Sequence, residues 1–305
     1  DNGLGGIVDS LKNVEILEDT LAWGGLTAVK HANGRDWWII FHHFFSDKYF
    51  KLLVTPDGIQ GPFEQKIGST LMYDAFVEST FSPDGSKFCF SNYGGWFDYM
   101  EFDRCTGIFY NPITVFSPDS MGFYGCSFSP SNQFLYVSSQ RNLYQYNVLE
   151  PNLSQNAIHI AEWDSFYDPA TGIAVLFNMH QSAPDSRIYL SGFNGTIYLN
   201  VINVPDSLGT LCDFEPHSFV LPYHTFTTAI PQFPYYDLGS LQGSDCDTLY
   251  LGTADNKILT RSSFSISPNP ASEWLNIVYQ SSEDVLFELY NVNGQRVAAA
   301  SLYHY

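Results

Sequence analysis

The segment Phe81-Ser-Pro-Asp-Gly-Ser-Lys-Phe-Cys-Phe-Ser91 joins a Pro-Asp-Gly turn to an alternating apolar strand. The same plan returns in His31-Ala-Asn-Gly-Arg-Asp-Trp-Trp-Ile-Ile-Phe41, in Phe128-Ser-Pro-Ser-Asn-Gln-Phe-Leu-Tyr-Val-Ser138 and in Ser182-Ala-Pro-Asp-Ser-Arg-Ile-Tyr-Leu-Ser191. A looser fifth copy has Ile230-Pro231 and, after an insertion, Asp247-Thr-Leu-Tyr-Leu-Gly252. His31 to Phe81 spans 50 residues, Phe81 to Phe128 spans 47 and Ser138 to Ser191 spans 53; repeats of this length mark blades or stacked arrays.

Each unit continues with further short strands, such as 49–55, 97–102, 143–148 and 196–203. Turn signals (Pro56-Asp57-Gly58, Asp84-Gly85, Asn194-Gly195) separate the apolar runs. Four strands per unit, repeated, with almost no helical periodicity, predict an all-β chain: a β-propeller. The expected blades lie near 24–72, 73–120, 121–170, 171–222 and 223–262 within a propeller spanning 1–262. Residues 1–23 read as the outer hairpin of a blade: they either close the ring as a borrowed outer strand or, the preferred reading, are the remnant of a preceding blade in a propeller with more blades than these five. Phe and Tyr make up much of the 17% aromatic content, and the space between blades is their expected place.

Charge narrows the function. The 305 residues hold 32 Asp or Glu against 13 Lys or Arg, a formal charge of −19. Nucleic acid and anionic lipid both need a basic patch, so neither is an expected partner. No apolar run approaches the roughly 18 residues of a membrane-spanning helix. The five cysteines show no CxxC or Cys/His ligand spacing, so neither zinc nor any other metal or cofactor is expected. In an oxidising compartment Cys212 and Cys246 are a candidate disulfide pair.

The composition shifts after residue 260. Phe264-Ser-Ile-Ser-Pro-Asn-Pro-Ala-Ser272 carries two prolines around an Asn and reads as a stiff extended linker barred from a central ladder. Two alternating strands, 274–279 and 285–290, and an Asn291-Val-Asn-Gly294 turn follow, as in the start of a small β-sandwich.

Ser267-Pro268-Asn269-Pro270-Ala271, the Leu-Asn-Ile strand and Leu289-Tyr-Asn-Val-Asn293-Gly294-Gln-Arg-Val297 closely resemble the type A C-terminal sorting domain of the type IX secretion system of Bacteroidota. The resemblance covers about the last 42 residues, and the further strands and closing segment of the family are not matched, so 263–305 reads as a partial sorting domain. It implies a cargo carried across the outer membrane by the type IX machinery and released or held at the cell surface. The repeat portion also resembles secreted WD-like propeller proteins of Bacteroidota, through His31–Trp38, Phe102–Gly107, the Phe128-Ser-Pro segment and Leu238-Gly239. That family implies architecture and compartment and no particular chemistry.

His31, Asn33, Arg35 and Asp36 form the densest polar cluster. His31 and Asp36 could be a base and its orienting partner, but the cluster falls on the repeat's turn, where Asn33-Gly34 and its flanks have a structural role. His42 and His43 alternate along a strand and point to opposite faces, so they cannot share a metal. His180, His217 and His224 stand alone. No phosphate loop, nucleophile elbow or HExxH pattern occurs, and no catalytic residue is assigned. Paired carboxylates from different blades would escape a sequence reading. The expectation is therefore a secreted or surface-bound propeller that binds a glycan, a peptide or a surface protein. The alternatives are a secreted hydrolase or lyase, or a passive scaffold in a larger surface protein.

Overall fold

The computed structural model describes residues 12–72, 77–192, 195–223, 230–247, 263–267, 276–280, 285–290 and 296–302. Four sheets, each of four antiparallel strands in simple up-and-down order, follow one another along the chain. They comprise β1 (Thr27–Lys30), β2 (Trp37–His42), β3 (Lys48–Thr55) and β4 (Gly58–Lys66); β5 (Val77–Phe81), β6 (Lys87–Asn92), β7 (Trp96–Asp103) and β8 (Ile108–Phe116); β9 (Phe123–Phe128), β10 (Phe134–Ser139), β11 (Asn142–Asn147) and β12 (Ile158–Glu162); and β13 (His180–Ser182), β14 (Ile188–Ser191), β15 (Tyr198–Ile202) and β16 (Phe214–Val220). The first strand of each sheet touches the first strand of the next: β1 meets β5, β5 meets β9 and β9 meets β13. Successive four-stranded meanders in contact through their first strands are the blades of a β-propeller.

The repeated turn has one geometry in all four blades. Gly34, Gly85, Asn132 and Ser186 each take a positive φ and donate the backbone N–H to the carbonyl three residues back, at His31, Ser82, Ser129 and Ala183. A left-handed residue closing a tight loop sends the chain back along the preceding strand. In the second blade Asp84 fastens the loop, accepting from Ser82 Oγ at 2.5 Å and from the Ser86 N–H at 3.0 Å.

Period-two alternation divides each strand between two interblade cores. Phe88 and Phe90 pack toward the first blade with Trp38, Ile40 and Tyr49, while Cys89 between them packs toward the third with Phe128 and Tyr146. Leu135 and Val137 join that second core, and Phe134 and Tyr136 join a third with Phe177, Ile188 and Leu190. Both faces of the middle blades are thus covered, and β9 and β10 are buried along their whole length. The aromatic side chains fill the interblade wedge, as the repeat predicts.

Two regions lie at the ends of the repeat. Thr20 and Ala22 exchange backbone hydrogen bonds with Phe44 and His42, so this part of the N-terminal stretch lies against the end of β2 in the first blade. Residues 3–8 lie outside the described residues. In the fifth copy, residues 230–247 run without strand among the described residues. Pro231 and Pro234 lack the N–H a ladder needs. The strand expected after Asp247 lies outside the described residues.

The tail is a separate unit. β17 (Ser263–Ser267) pairs with β18 (Asn276–Gln280), and β19 (Val285–Tyr290) with β20 (Arg296–Leu302). The stretch read as an extended linker barred from a central ladder begins as a strand that ends at Ser267, just before Pro268. Being half of a two-stranded sheet, it needs partners on one side only. The residues of the sorting motif, Pro268, Asn269, Pro270, Asn293 and Gly294, lie outside the described residues. No helix among the described residues is long and apolar enough to cross a membrane.

Candidate functional site

The His31 cluster is a self-contained turn. Asp36 takes the Arg35 guanidinium at 2.6 Å and the Asn33 amide at 2.8 Å, and Asn33 Oδ1 accepts the Arg35 and Asp36 N–H groups, both at 3.0 Å. The Arg35 hydrogen bond holds the Asp36 carboxyl below its usual range. His31 Nδ1 accepts the Asn33 N–H at 3.1 Å, so the proton is on Nε2, which donates to the Cys105 carbonyl at 2.9 Å. Both imidazole nitrogens are occupied and neither bonds Asp36. The geometry is that of a turn docked on the β7–β8 hairpin, with no free base.

Residues 230–247 cross this turn and are fastened to it. Leu241 N–H donates to the Ala32 carbonyl at 2.7 Å, and Lys30 Nζ donates to the Tyr236 carbonyl at 2.6 Å. The buried Arg104 guanidinium reaches the carbonyls of Lys30 at 2.8 Å, His31 at 3.2 Å and Gly239 at 2.5 Å. A Cβ on Gly34 would stand 2.6 Å from the backbone nitrogen of Ser240, so the crossing requires a glycine there as well as its φ of 74°. A disulfide joins Cys105 to Cys246. This corrects the expected Cys212–Cys246 pair: Cys212 is a buried free thiol beside β16, packed with Tyr136 and Ile202, while Cys246 is carried across to the second blade.

The other end of this segment forms one wall of a cavity of about 250 Å³. The remaining walls come from the first strands β1, β5, β9 and β13, with Leu26 and Ile39. No Asp, Glu, Lys or Arg side chain lines it among the described residues.

Beside the cavity lies Glu78 of β5, fully buried. Its carboxyl accepts the Cys126 N–H at 2.6 Å, the His180 N–H at 3.1 and 3.2 Å, and the Gln232 side-chain amide at 2.6 Å. One side chain thus joins three blades and the crossing segment. Burial pushes Glu78 up to about 8, against the pull of those three donors.

His180 lines the same cavity. Ser138 Oγ gives its proton to the Asn178 carbonyl at 3.1 Å, so the 2.8 Å contact between Ser138 and His180 is a donation from Nε2–H. Burial pushes the imidazole down to about 3, and it is neutral. Close packing extends to Gly125, where a Cβ would collide with the Asn178 carbonyl oxygen and with His180.

The sequence reading passed over Glu78 and Gln232. The signal available was a single acidic residue inside the otherwise uncharged Val77-Glu-Ser-Thr-Phe81 strand. His42 and His43 diverge as expected: His42 is buried between Tyr49 and Phe90, and His43 meets Asp19 at 2.9 Å. His217 bonds Asp164 at 2.8 Å, and His224 lies outside the described residues. Among the described residues no three His, Cys, Asp or Glu side chains converge as a metal site.

No protein-family model matches the chain, and no curated protein does. Solved structures resemble it at low identity. A protein of unknown function from Desulfotomaculum acetoxidans DSM 771 is 15% identical, with a TM-score of 0.43, over 67% of this chain and 60% of that one. A protein from Bacteroides uniformis ATCC 8492, named as a candidate 6-phosphogluconolactonase, is 17% identical, with a TM-score of 0.42, over 70% and 61%. A third, from Lactobacillus plantarum, is 16% identical, with a TM-score of 0.38, over 67% and 57%. The matched part is thus less than two thirds of each of these proteins. The chain's own sheet order and the contacts between its first strands make it an all-β propeller.

Proposed function

We propose that the chain is a non-enzymatic binding module of an exported protein, and that the cavity between the first strands is its ligand site. The carrying observation is the cavity itself: its walls mix hydroxyl, amide and apolar side chains contributed by all four described blades and the crossing segment. Concave sites with a few convergent polar groups on a rigid scaffold are where small ligands bind. A hydrolytic reading calls for an acid and a base. Among the described residues no carboxyl lines the cavity: Glu78 lies beside it, occupied by three donors, and the His180 imidazole, whose Nε2 is occupied and whose Nδ1 has no hydrogen-bond partner, has no acid paired with it. A phosphorylated substrate would need cationic partners, and among the described residues no Lys or Arg side chain lines the cavity.

The resemblance of 267–271 and 289–297 to type A sorting domains supports delivery through the type IX machinery to the cell surface or the medium. A glycan array and a peptide array probed with the purified chain test binding. Reproducible ligands support the module reading, and blank arrays contradict it. For export, the chain is produced in a host with a working type IX system, with and without Pro268→Ala and Pro270→Ala. Release of the unaltered chain and retention of the variant support the delivery reading; equal release contradicts it.

A further inference from the structure

We propose that the cavity takes one neutral saccharide ring, the terminal residue of a glycan, with its apolar face against Phe233. The inference rests on the reading of the cavity as the ligand site and names the class of ligand.

Neutrality follows from the lining. Among the described residues no Asp, Glu, Lys or Arg side chain lines the cavity, and the one histidine in the lining is His180. The two ionisable groups at its edge present no charge for pairing. Glu78 is ringed by donors from Cys126, His180 and Gln232, and the His180 imidazole is turned to Ser138. A phosphate, carboxylate or ammonium entering here would lose its hydration without gaining a counterion, which is strongly unfavourable. A hydroxyl loses far less, and partners for it are at hand. Gln232 commits one amide proton to Glu78, leaving its carbonyl oxygen and second proton available. Thr27 on β1 and Thr80 on β5 add hydroxyls to the same lining.

Shape and apolar surface select a ring. Phe233 lines the cavity while remaining 59% exposed, and its backbone is fixed by donation to Gln181 Oε1 at 2.8 Å. Pro234 and Tyr235 continue this wall. A pyranose offers C–H groups on one face and hydroxyls around its rim, matching an aromatic platform beside amide and hydroxyl groups. At about 250 Å³ the cavity lies just below the roughly 300–1,000 Å³ of sites for larger ligands, a space for one ring with the rest of the glycan outside.

The test is calorimetric titration of the full chain with neutral methyl pyranosides, the corresponding hexose phosphates, hexuronates and N-acetylated amino acid amides. Phe233→Ala and Phe233→Tyr are titrated in parallel. Phe233 is exposed enough for both variants to keep the fold, and near-ultraviolet circular dichroism verifies this. The expected result is binding of a neutral pyranoside, weaker or absent binding of its charged counterpart, about a tenfold loss in Phe233→Ala and retention in Phe233→Tyr. Preference for the charged sugar, or binding of the amino acid amides alone, overturns the saccharide class. If Phe233→Ala weakens that binding too, the cavity remains the ligand site. Binding indifferent to Phe233→Ala, or no binding by any probe, overturns both.

Discussion

Gln232 donates its side-chain amide to Glu78 at 2.6 Å, across 154 positions of sequence, and through this bond the irregular segment 230–247 is tied to the buried meeting point of three blades. Glu78→Ala leaves the Cys126 N–H, the His180 N–H and the Gln232 amide without their acceptor. The expected loss is about 3–5 kcal/mol, the scale for removing one partner from a buried polar network. Urea unfolding of the two proteins measures it, and a loss within the error of the fit would contradict the account.

The same residue sets a pH dependence. Its folded pKa of about 8 lies above the ordinary 4.5, so the folded state holds the proton more tightly than the unfolded chain. Its contribution to stability is complete below pH 4.5 and is lost as pH rises toward 8. His42 and His180 act in the opposite sense. Burial lowers them from 6.5 to about 4 and about 3, so the stability they contribute is present above pH 6.5 and is lost as pH falls through those values. Thermal unfolding across this range is expected to show a decline on each side. In Glu78→Gln the alkaline decline between pH 6.5 and 8 flattens, whatever the variant's absolute stability.

Cys246→Ser opens a link between residues 141 positions apart. The expected cost is about 2–5 kcal/mol, largely through the freer unfolded chain. Hydrogen exchange should rise across 230–247, where the segment forms the cavity wall. Peptide mapping without reductant should recover Cys105 linked to Cys246, and Cys212→Ser should leave that link intact.

Arg104→Lys keeps the charge but loses the planar fork that reaches the carbonyls of Lys30, His31 and Gly239. Because Arg104 and the disulfide hold the same crossing, Arg104→Lys and Cys246→Ser are expected to be non-additive in a double-mutant cycle. Strict additivity would show that the two restraints act on independent structures.

Much of the blade architecture was legible in the sequence because each turn carries its own chemistry. A residue at positive φ three positions after the turn's first carbonyl fixes the hairpin at Gly34, Gly85, Asn132 and Ser186 alike. The aromatic wedge was legible through the alternation of Phe88, Cys89 and Phe90. The cavity was not, because Glu78, His180 and Gln232 come from distant parts of the chain and no spacing links them. The disulfide was misread for the same reason. Cys212 and Cys246 are nearer in sequence, but the crossing of the first blade's turn carries Cys246 to Cys105.

The central claim is that the cavity bounded by β1, β5, β9, β13 and Gln232–Tyr235 is the ligand site. The most direct measurement is a glycan array probed in parallel with the unaltered chain and with Phe233→Ala. The account predicts a defined set of bound glycans sharing one neutral terminal sugar, with signal sharply reduced in the variant. A blank array, or the same pattern at the same strength for both proteins, would contradict it.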